Sequence, residues 1–376
     1  MLCSRITCLA LLIIAVFFCP ISSGMKCSEN RFLLGGDISM ADKMEQLGAG
    51  FRSAGRTKDL IYLLKDYGCN CLRLRLFVKP NYKNAVINDL PYTLKLGKRI
   101  KNAGMKLLLD FHYSDTWADP GRQLKPGDWQ SLDFEALEKQ VEKYTGSVMK
   151  TFKKNGALPD IVQIGNEIAP GFLWPDGQLH GEKTTEAQWL RFTRLLKAGI
   201  RGARSPLEKA EAEHVRIMIH IHCGGNPAAS RWFFENILER KVPFDIIGLS
   251  YYPWWHGTMK DLRINLRETA RTFEKDIIVV ETAYPFRNPE HWKGKKAMAW
   301  PISREGQRAF LDDLITTVKE TPNNRGRGVL YWYPESVPVK GLRAWNGGAT
   351  ALFDEDGNCL PSLEAFQNAG NLVTNK

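Results

Sequence analysis

The chain has 376 residues, is 44% hydrophobic, and carries 52 Lys and Arg against 41 Asp and Glu, a formal net charge of +11. That much apolar content excludes a disordered polymer, and the length suits one large α/β domain or two ordinary ones. The basic residues are dispersed along helical stretches, with only short runs such as KGKK at 293–296. This describes a solvated surface able to attract an acidic polymer, and no nucleic-acid-binding motif accompanies it.

The first segment, MLCSRITCLALLIIAVFFCPISSG, places Arg5 ahead of an apolar run from Leu9 to Cys19, followed by the small residues Ser22, Ser23 and Gly24. It reads as a secretory signal peptide, residues 1–24, because the apolar core is shorter than the roughly 20 residues a membrane anchor needs. Residues 25–376 are then an exported chain, periplasmic or extracellular, with no further segment apolar enough to span a bilayer. Cys3, Cys8 and Cys19 fall in the leader, leaving Cys27, Cys69, Cys71, Cys223 and Cys359, too sparse and uneven for a disulfide framework. Cys69 and Cys71 flank one residue on a predicted strand and read as core thiols sharing a face, not as a zinc spacing.

Short apolar runs then alternate with stretches of helical period. Strands are predicted at 32–38, 71–78, 106–112, 161–167, 216–222, 244–252, 277–284 and 328–333. Helices are predicted between them at 57–68, 90–104, 133–156, 186–204, 230–241, 262–276 and 304–320, several ending at glycine. The strands are near-continuously apolar, as in a parallel sheet covered by helices. Eight such units without a linker or internal repeat predict a single (β/α)8 TIM barrel over 25–376. The rival, a doubly wound sheet, lacks a glycine-rich fingerprint after the first strand. Long connections at 112–132, 168–185 and 284–303 all follow strands, on the barrel face where active sites are built.

The strand ends collect polar residues. The run IVQIGNE, 161–167, looks like a buried strand yet finishes on Asn166 and Glu167, and a buried carboxylate must be paired, protonated or exposed in a cleft. Arg73, Arg75, Asp110, His112, His220, His222, Tyr251, Tyr252, Glu281 and Trp332 end the other strands. Glu167 after the fourth strand and Glu281 on the seventh fall roughly opposite each other in a closed eight-stranded barrel. Two carboxylates across a cleft are what glycoside hydrolysis requires: one raised in pKa to protonate the leaving oxygen, one ionised. Tryptophans at 117, 129, 174, 254, 255, 292, 300, 332 and 345 lie in or near the same rim and supply flat faces on which sugars stack.

The segments GGDIS (35–39), DFHYSDTWADPGRQLKP (110–126), IVQIGNEIAPGFLWPDG (161–177), IMIHIHCGG (217–225), GLSYYPWWHG (248–257) and VVETAYP (279–285) together resemble glycoside hydrolase family 53, the endo-β-1,4-galactanases. That resemblance implies Glu167 as acid/base and Glu281 as nucleophile of a retaining reaction on (arabino)galactan side chains of pectin. It also implies that Asn166 holds the neighbouring sugar hydroxyl, that Arg73 or Arg75 keeps Glu281 ionised, and that Tyr252 orients it. Of the two arginines Arg75 is preferred, although equal strand parity does not separate them. His112 and His220 are expected to line the subsite at the scissile bond and Trp332 to floor it. Trp117, Asp119 and Trp174 are expected at distal subsites, and Asp37, Asp110 and Asp115 as substrate contacts or hydrogen-bond partners. In this picture Glu167 has a raised pKa and Glu281 does not.

Many family members carry Trp-Glu-Pro after the eighth strand, where this chain has Trp332, Tyr333, Pro334 and Glu335, so a neighbouring subsite differs. Some bacterial members hold a structural calcium in late loops. FDEDGN (353–358) is the acidic cluster that resembles such a site, but it reads better as a surface turn, so no cofactor is expected. The expected partner is a polysaccharide, met by a monomer. The alternatives are another barrel endo-glycosidase, a mannanase or glucanase, or a galactan-binding protein with reduced catalysis. A metal hydrolase built on His112, His220 and His222 lacks the ligand spacing of a zinc motif.

Overall fold

All eight apolar runs form parallel strands: β1 (Leu33–Asp37), β2 (Cys71–Leu76), β3 (Lys106–Phe111), β4 (Ile161–Ile164), β5 (Arg216–Ile221), β6 (Ile246–Tyr251), β7 (Asp276–Thr282) and β8 (Gly326–Trp332). Each pairs with its neighbours in chain order, and β8 closes on β1, in a barrel. This is a computed structural model, and it describes residues 31–289, 292 and 298–371. The expected leader, Cys27 and the KGKK run lie outside the described residues. Among the described residues no helix is long and apolar enough to cross a membrane.

A helix follows each strand: α1 (Leu60–Asp66), α2 (Leu90–Asn102), α3 (Phe134–Lys154), α4 (Glu186–Arg204), α5 (Pro227–Glu239), α6 (Met259–Phe273), α7 (Arg304–Lys319) and α8 (Leu363–Asn371). Two of them begin three residues before the predicted start. Asn226 caps α5, accepting from Ala229 N, with Pro227 at its first position, and Thr258 caps α6 in a capping box. Caps satisfy the first free amides one turn before the apolar period becomes visible, so periodicity places these starts late. The closing helix α8, a hairpin at 51–53 and 56–58, and a smaller one at 171–172 and 177–178 are not predicted.

Period two sorts each strand into two faces. Outward residues such as Leu72, Leu74, Leu107 and Leu109 pack with helix residues Leu96, Ile100, Leu137 and Phe152 in the large core between sheet and helices. Burying one such side chain contributes about 1.5–3 kcal/mol. Inward residues, including Cys71, Leu108, Ile161, Met218, Ile278 and Leu330, form a second and much smaller core inside the barrel. Two residues further along the same strands the inward positions turn polar, at Arg73, Asp110, Gln163 and His220, all buried. Cys69 and Cys71 do not share a face as expected. Cys71 heads β2 and points inside, whereas Cys69 lies in the preceding turn and joins the outer core; both are buried free thiols.

The barrel seam is tight at Gly35, which is paired with both Leu330 and Cys71. A Cβ there would lie 1.8 Å from the Cys71 carbonyl oxygen, so no larger residue fits.

Candidate active site

β4 stops at Ile164, three residues short of the predicted end, because the backbone turns left-handed. Gly165 has φ 81° and Glu167 φ 51°. For a glutamate this costs on the order of 1–3 kcal/mol, and the surroundings hold it in place. Gly165 N donates to Phe111 O at 3.0 Å, Ile168 N to His220 O at 3.0 Å, and Gln123 Nε2 to Asn166 O at 2.7 Å. The kink lifts Asn166 and Glu167 off the wall and into the barrel mouth. The Glu167 carboxylate receives the Ser250 hydroxyl on Oε1 at 2.6 Å.

Glu281 reaches the mouth by a different device. Alternation puts Ile278 and Val280 inside the barrel, so Glu281 should face the helices. The β6–β7 register slips between Leu249 and Ser250, where Leu249 pairs Val279 and Ser250 pairs Glu281. Such a bulge re-aims the next side chain. Glu281 then accepts from Arg73 Nη1 on Oε2 at 3.0 Å and from the Tyr252 hydroxyl on Oε1 at 2.9 Å.

Arg73, not the preferred Arg75, is therefore the cation beside Glu281. Its fork also reaches Asp37 Oδ2 at 3.3 Å, Asp110 Oδ2 at 2.8 Å and Asn166 Oδ1 at 2.8 Å. Burial opposes its charge, but Asp110, Glu281 and Asp37 hold the guanidinium protonated. Arg75, one pleat higher, contacts Asp37 at 3.5 Å and lies between Trp117 and Tyr333, 4.5 and 4.9 Å from their ring centres. It ties the aromatic rim to the barrel.

The two glutamates are 8% and 7% exposed, and burial raises the pKa of both, which differs from the expectation that Glu281 stays unshifted. Their order still follows from their partners. Glu167 is pushed up to about 8, by burial first and then by the charge of Glu281, against the Ser250 hydroxyl and, less, the charge of Arg73. Burial also raises Glu281, but Arg73 and the Tyr252 hydroxyl pull it back, so Glu281 is the one to ionise first.

Both carboxylates line a cavity of about 420 Å³ together with Asn166, Asp119, His222, Tyr252, Trp117 and Trp332. A second cavity of about 520 Å³ shares Trp117, Trp255, Trp332 and Trp345 with it and adds Trp292 and Tyr333. The rim is thus an aromatic trough beside a carboxylate pair.

Several residues expected to touch substrate lie beneath this trough. Asp37, Arg73, Arg75, His112 and His220 are 0–1% exposed and bond to other side chains. His112 accepts from Ala118 N on Nδ1 at 3.3 Å and faces Asp110 with Nε2 at 2.9 Å. His220 lies between Ser250 on one side and Asn166 and Gln163 on the other. Trp174 lines neither cavity: its indole donates to Pro170 O at 3.0 Å and its backbone bonds Gln123, bracing the loop. Asp115 likewise accepts from Lys79 N and Gly127 N. Glu335, after a left-handed Tyr333, turns inward to accept from Met40 N at 3.1 Å, and burial pushes it up to about 8. In FDEDGN, Asp354 accepts from Asp356 N and Asn358 N, closing a tight turn.

Ser250, Gln163 and Gln123 were not predicted. Ser250 shares the parity of Tyr252, and Gln163 is the one polar residue inside the β4 run, so both signals were present. The signal for Gln123 was absent, because it acts from a loop.

A parallel (β/α)8 barrel with two unlike carboxylates in one aromatic trough is the build of a glycoside hydrolase. The sequence profile described as Glycosyl hydrolase family 53 matches residues 33–366, and the chain belongs to that family. It is 42% identical over 355 residues to an uncharacterised protein of Niallia circulans, covering 90% of this chain and 94% of that one. It is 33% identical to the arabinogalactan endo-β-1,4-galactanase of Cellvibrio japonicus, over 94% and 95% of the two chains. Among solved structures, the family 53 catalytic domain of Ignisphaera aggregans superposes with a TM-score of 0.80 at 34% identity, covering 90% of this chain and 96% of that one.

Proposed function

We propose that the protein is an exported endo-β-1,4-galactanase that cuts internal bonds of (arabino)galactan side chains of pectin, with retention. The observation that carries this reading is the unlike environment of two glutamates in one cavity: Glu167 with a neutral donor, Glu281 with Arg73 and Tyr252. The galactanase names of its relatives support the substrate, and the apolar leader supports export.

In the first step the Glu281 carboxylate attacks the anomeric carbon while Glu167 gives its proton to the departing glycosidic oxygen. Esterified Glu281 no longer carries a charge, so one of the causes that raise Glu167 lapses and its pKa falls. Glu167 then takes a proton from water, and the water oxygen displaces Glu281. Asn166, 5% exposed and fixed by Ala118 O and Arg73, offers its remaining amide hydrogen to the hydroxyl beside the cleaved bond. Trp117 and Trp332 supply stacking faces.

The test is the purified protein on unbranched β-1,4-galactan, mannan and glucan with products resolved by size. Galacto-oligosaccharides are expected from galactan alone, and cutting of mannan or glucan instead would refute the substrate. Glu281→Ala should lower hydrolysis by several orders of magnitude and still bind oligosaccharide. Unchanged activity in that variant would refute the site.

A further inference from the structure

Behind Glu167 runs a buried row of hydrogen-bonding groups whose directions can be deduced one after another. Asn166 is oriented first: Nδ2 donates to Ala118 O at 2.8 Å, and Oδ1 accepts from Arg73 Nη2 at 2.8 Å. Gln163 follows. The atom that lies 3.0 Å from Gly165 O and 3.2 Å from Asn166 Oδ1 faces two acceptors, so it is the amide nitrogen. That nitrogen is also 3.1 Å from His220 Nδ1. Gln163 has two hydrogens for these three neighbours and shares them among Gly165 O, Asn166 Oδ1 and Nδ1, while Asn166 Oδ1, 3.0 Å from the same ring nitrogen, also receives Arg73. The other end of the row fixes the ring: ionised Glu167 only accepts, so Ser250 gives its single hydrogen to Oε1, and the hydrogen between Ser250 Oγ and His220 Nε2 must come from the ring, which leaves Nδ1 as an acceptor.

Burial and the charge of Arg73 keep His220 neutral, so its single ring hydrogen is on Nε2 and points at Ser250 Oγ, 2.8 Å away. A serine that accepts from the ring has its own hydrogen free for the other side, and Glu167 Oε1 waits there at 2.6 Å. Every donor in the row faces the same way.

We propose that this one-way chain, Gln163 to His220 to Ser250 to Glu167, closes Oε1 to protonation and holds the Glu167 proton on Oε2, the oxygen left for the cleft. Ser250 and His220 are positioning residues that select which oxygen acts, and the inference rests on the acid/base reading of Glu167. The same hydroxyl keeps its bond when Glu167 is ionised, so no rearrangement behind the carboxylate is needed during turnover. Were the row reversed, with hydrogen on Nδ1, Ser250 would donate to the ring and the Glu167 proton would point into the wall, away from any leaving group. The charged and titratable neighbours of the row are Arg73 on β2, His112 on β3, His222 and Cys223 at the end of β5, Tyr252 and His256 after β6, Glu281 on β7 and Asp119 in the β3–α3 loop.

Two measurements test the chain. Nitrogen-15 NMR of the histidine-labelled wild-type protein reads the ring directly: His220 is expected neutral with hydrogen on Nε2 between pH 5 and 9, and hydrogen on Nδ1, or on both nitrogens, overturns the proposal. Ser250→Ala should lower kcat on galactan about tenfold, since it removes a hydrogen bond to a charged group. It should spare an aryl galactoside whose phenolate leaves without a proton, and it should move the basic limb of the pH profile upward because the ionised carboxylate loses its donor. Ser250→Thr should restore both properties. Equal loss on the two substrates with an unmoved limb is what a packing defect would give, and it overturns the proposal. Glu167→Gln separates the underlying reading: if that variant hydrolyses galactan at full rate, the acid/base role fails, whereas the ring hydrogen is read independently of it.

Discussion

Tyr252→Phe isolates what one hydroxyl does for Glu281, the nucleophile of the proposed reaction. The Tyr252 ring is 2% exposed and stays in place in the variant, packed against Trp254, Trp255 and Trp345 with ring centres 5.1, 5.3 and 5.8 Å away. The hydroxyl bonds Glu281 Oε1 at 2.9 Å, while Arg73 retains Oε2. A hydrogen bond to a charged group contributes about 1.5–3 kcal/mol. Since one pKa unit corresponds to about 1.4 kcal/mol, losing the bond should raise Glu281 by roughly one unit or more. Glu281 must be ionised to attack, so a higher pKa removes the attacking form at a higher pH on acidification, and the acid limb of kcat/KM moves up. The basic limb belongs to Glu167 and should stay. The plateau rate should fall less than about 100-fold, because the lost bond stabilised a charge that the transition state itself consumes. The assay is kcat/KM on galactan from pH 4 to 9, with melting curves to verify the fold. An unmoved acid limb, or movement of the basic limb alone, would refute the division of roles.

Arg73→Lys should lower kcat/KM at least about 100-fold and reduce the melting temperature, because an ammonium does not span four acceptors and breaking a buried pair costs about 3–5 kcal/mol; kinetics and calorimetry check both. Gly165→Ala places a Cβ 2.6 Å from Ile168 Cγ2 at a φ of 81°. Activity should drop more than stability, since the displaced segment carries Glu167, and a variant that melts as the wild type and keeps full activity would contradict the kink argument. For Glu167→Gln the sign runs through linkage. A carboxyl raised in the fold gives stability that is full below its unfolded pKa and lost as pH rises toward about 8. The amide has no such loss, so its advantage in melting temperature over the wild type should grow between pH 4.5 and 8 and then level off.

The strands were legible to within one to three residues because near-continuous apolar runs survive in sequence wherever both faces are buried. Glu167 and Glu281 stood out for the same reason, being charges where the run had no room for one. What the sequence obscured was depth. Period two places Arg73 and Arg75 on the same face and says nothing of which pleat meets Glu281. The parity that brings His112 and His220 to the interior likewise leaves open whether they touch sugar or lie under it. The bulge at Val280 was invisible, since no glycine or proline marks it, although without it a place for Glu281 in the barrel mouth contradicts the alternation. Trp174 is a different case: its indole hydrogen closes a rim loop onto Pro170 O, a role that its place in a tryptophan-rich rim does not reveal.

The change from apolar to polar halfway up the barrel interior separates two kinds of dependence on sequence. Below the change and in the sheet–helix layer, residues answer to volume, and exchanges of similar size should be absorbed with modest cost. Above it, Arg73, Asp110, Gln163, His220 and Ser250 answer to direction, each being the donor or acceptor that its neighbour lacks. Stabilising this protein by design therefore belongs to the outer layer, where repacking α1 to α8 leaves the chemistry alone. A change of substrate preference belongs to the aromatic rim. The polar storey between them offers little freedom to either effort, because altering one member re-orients the rest.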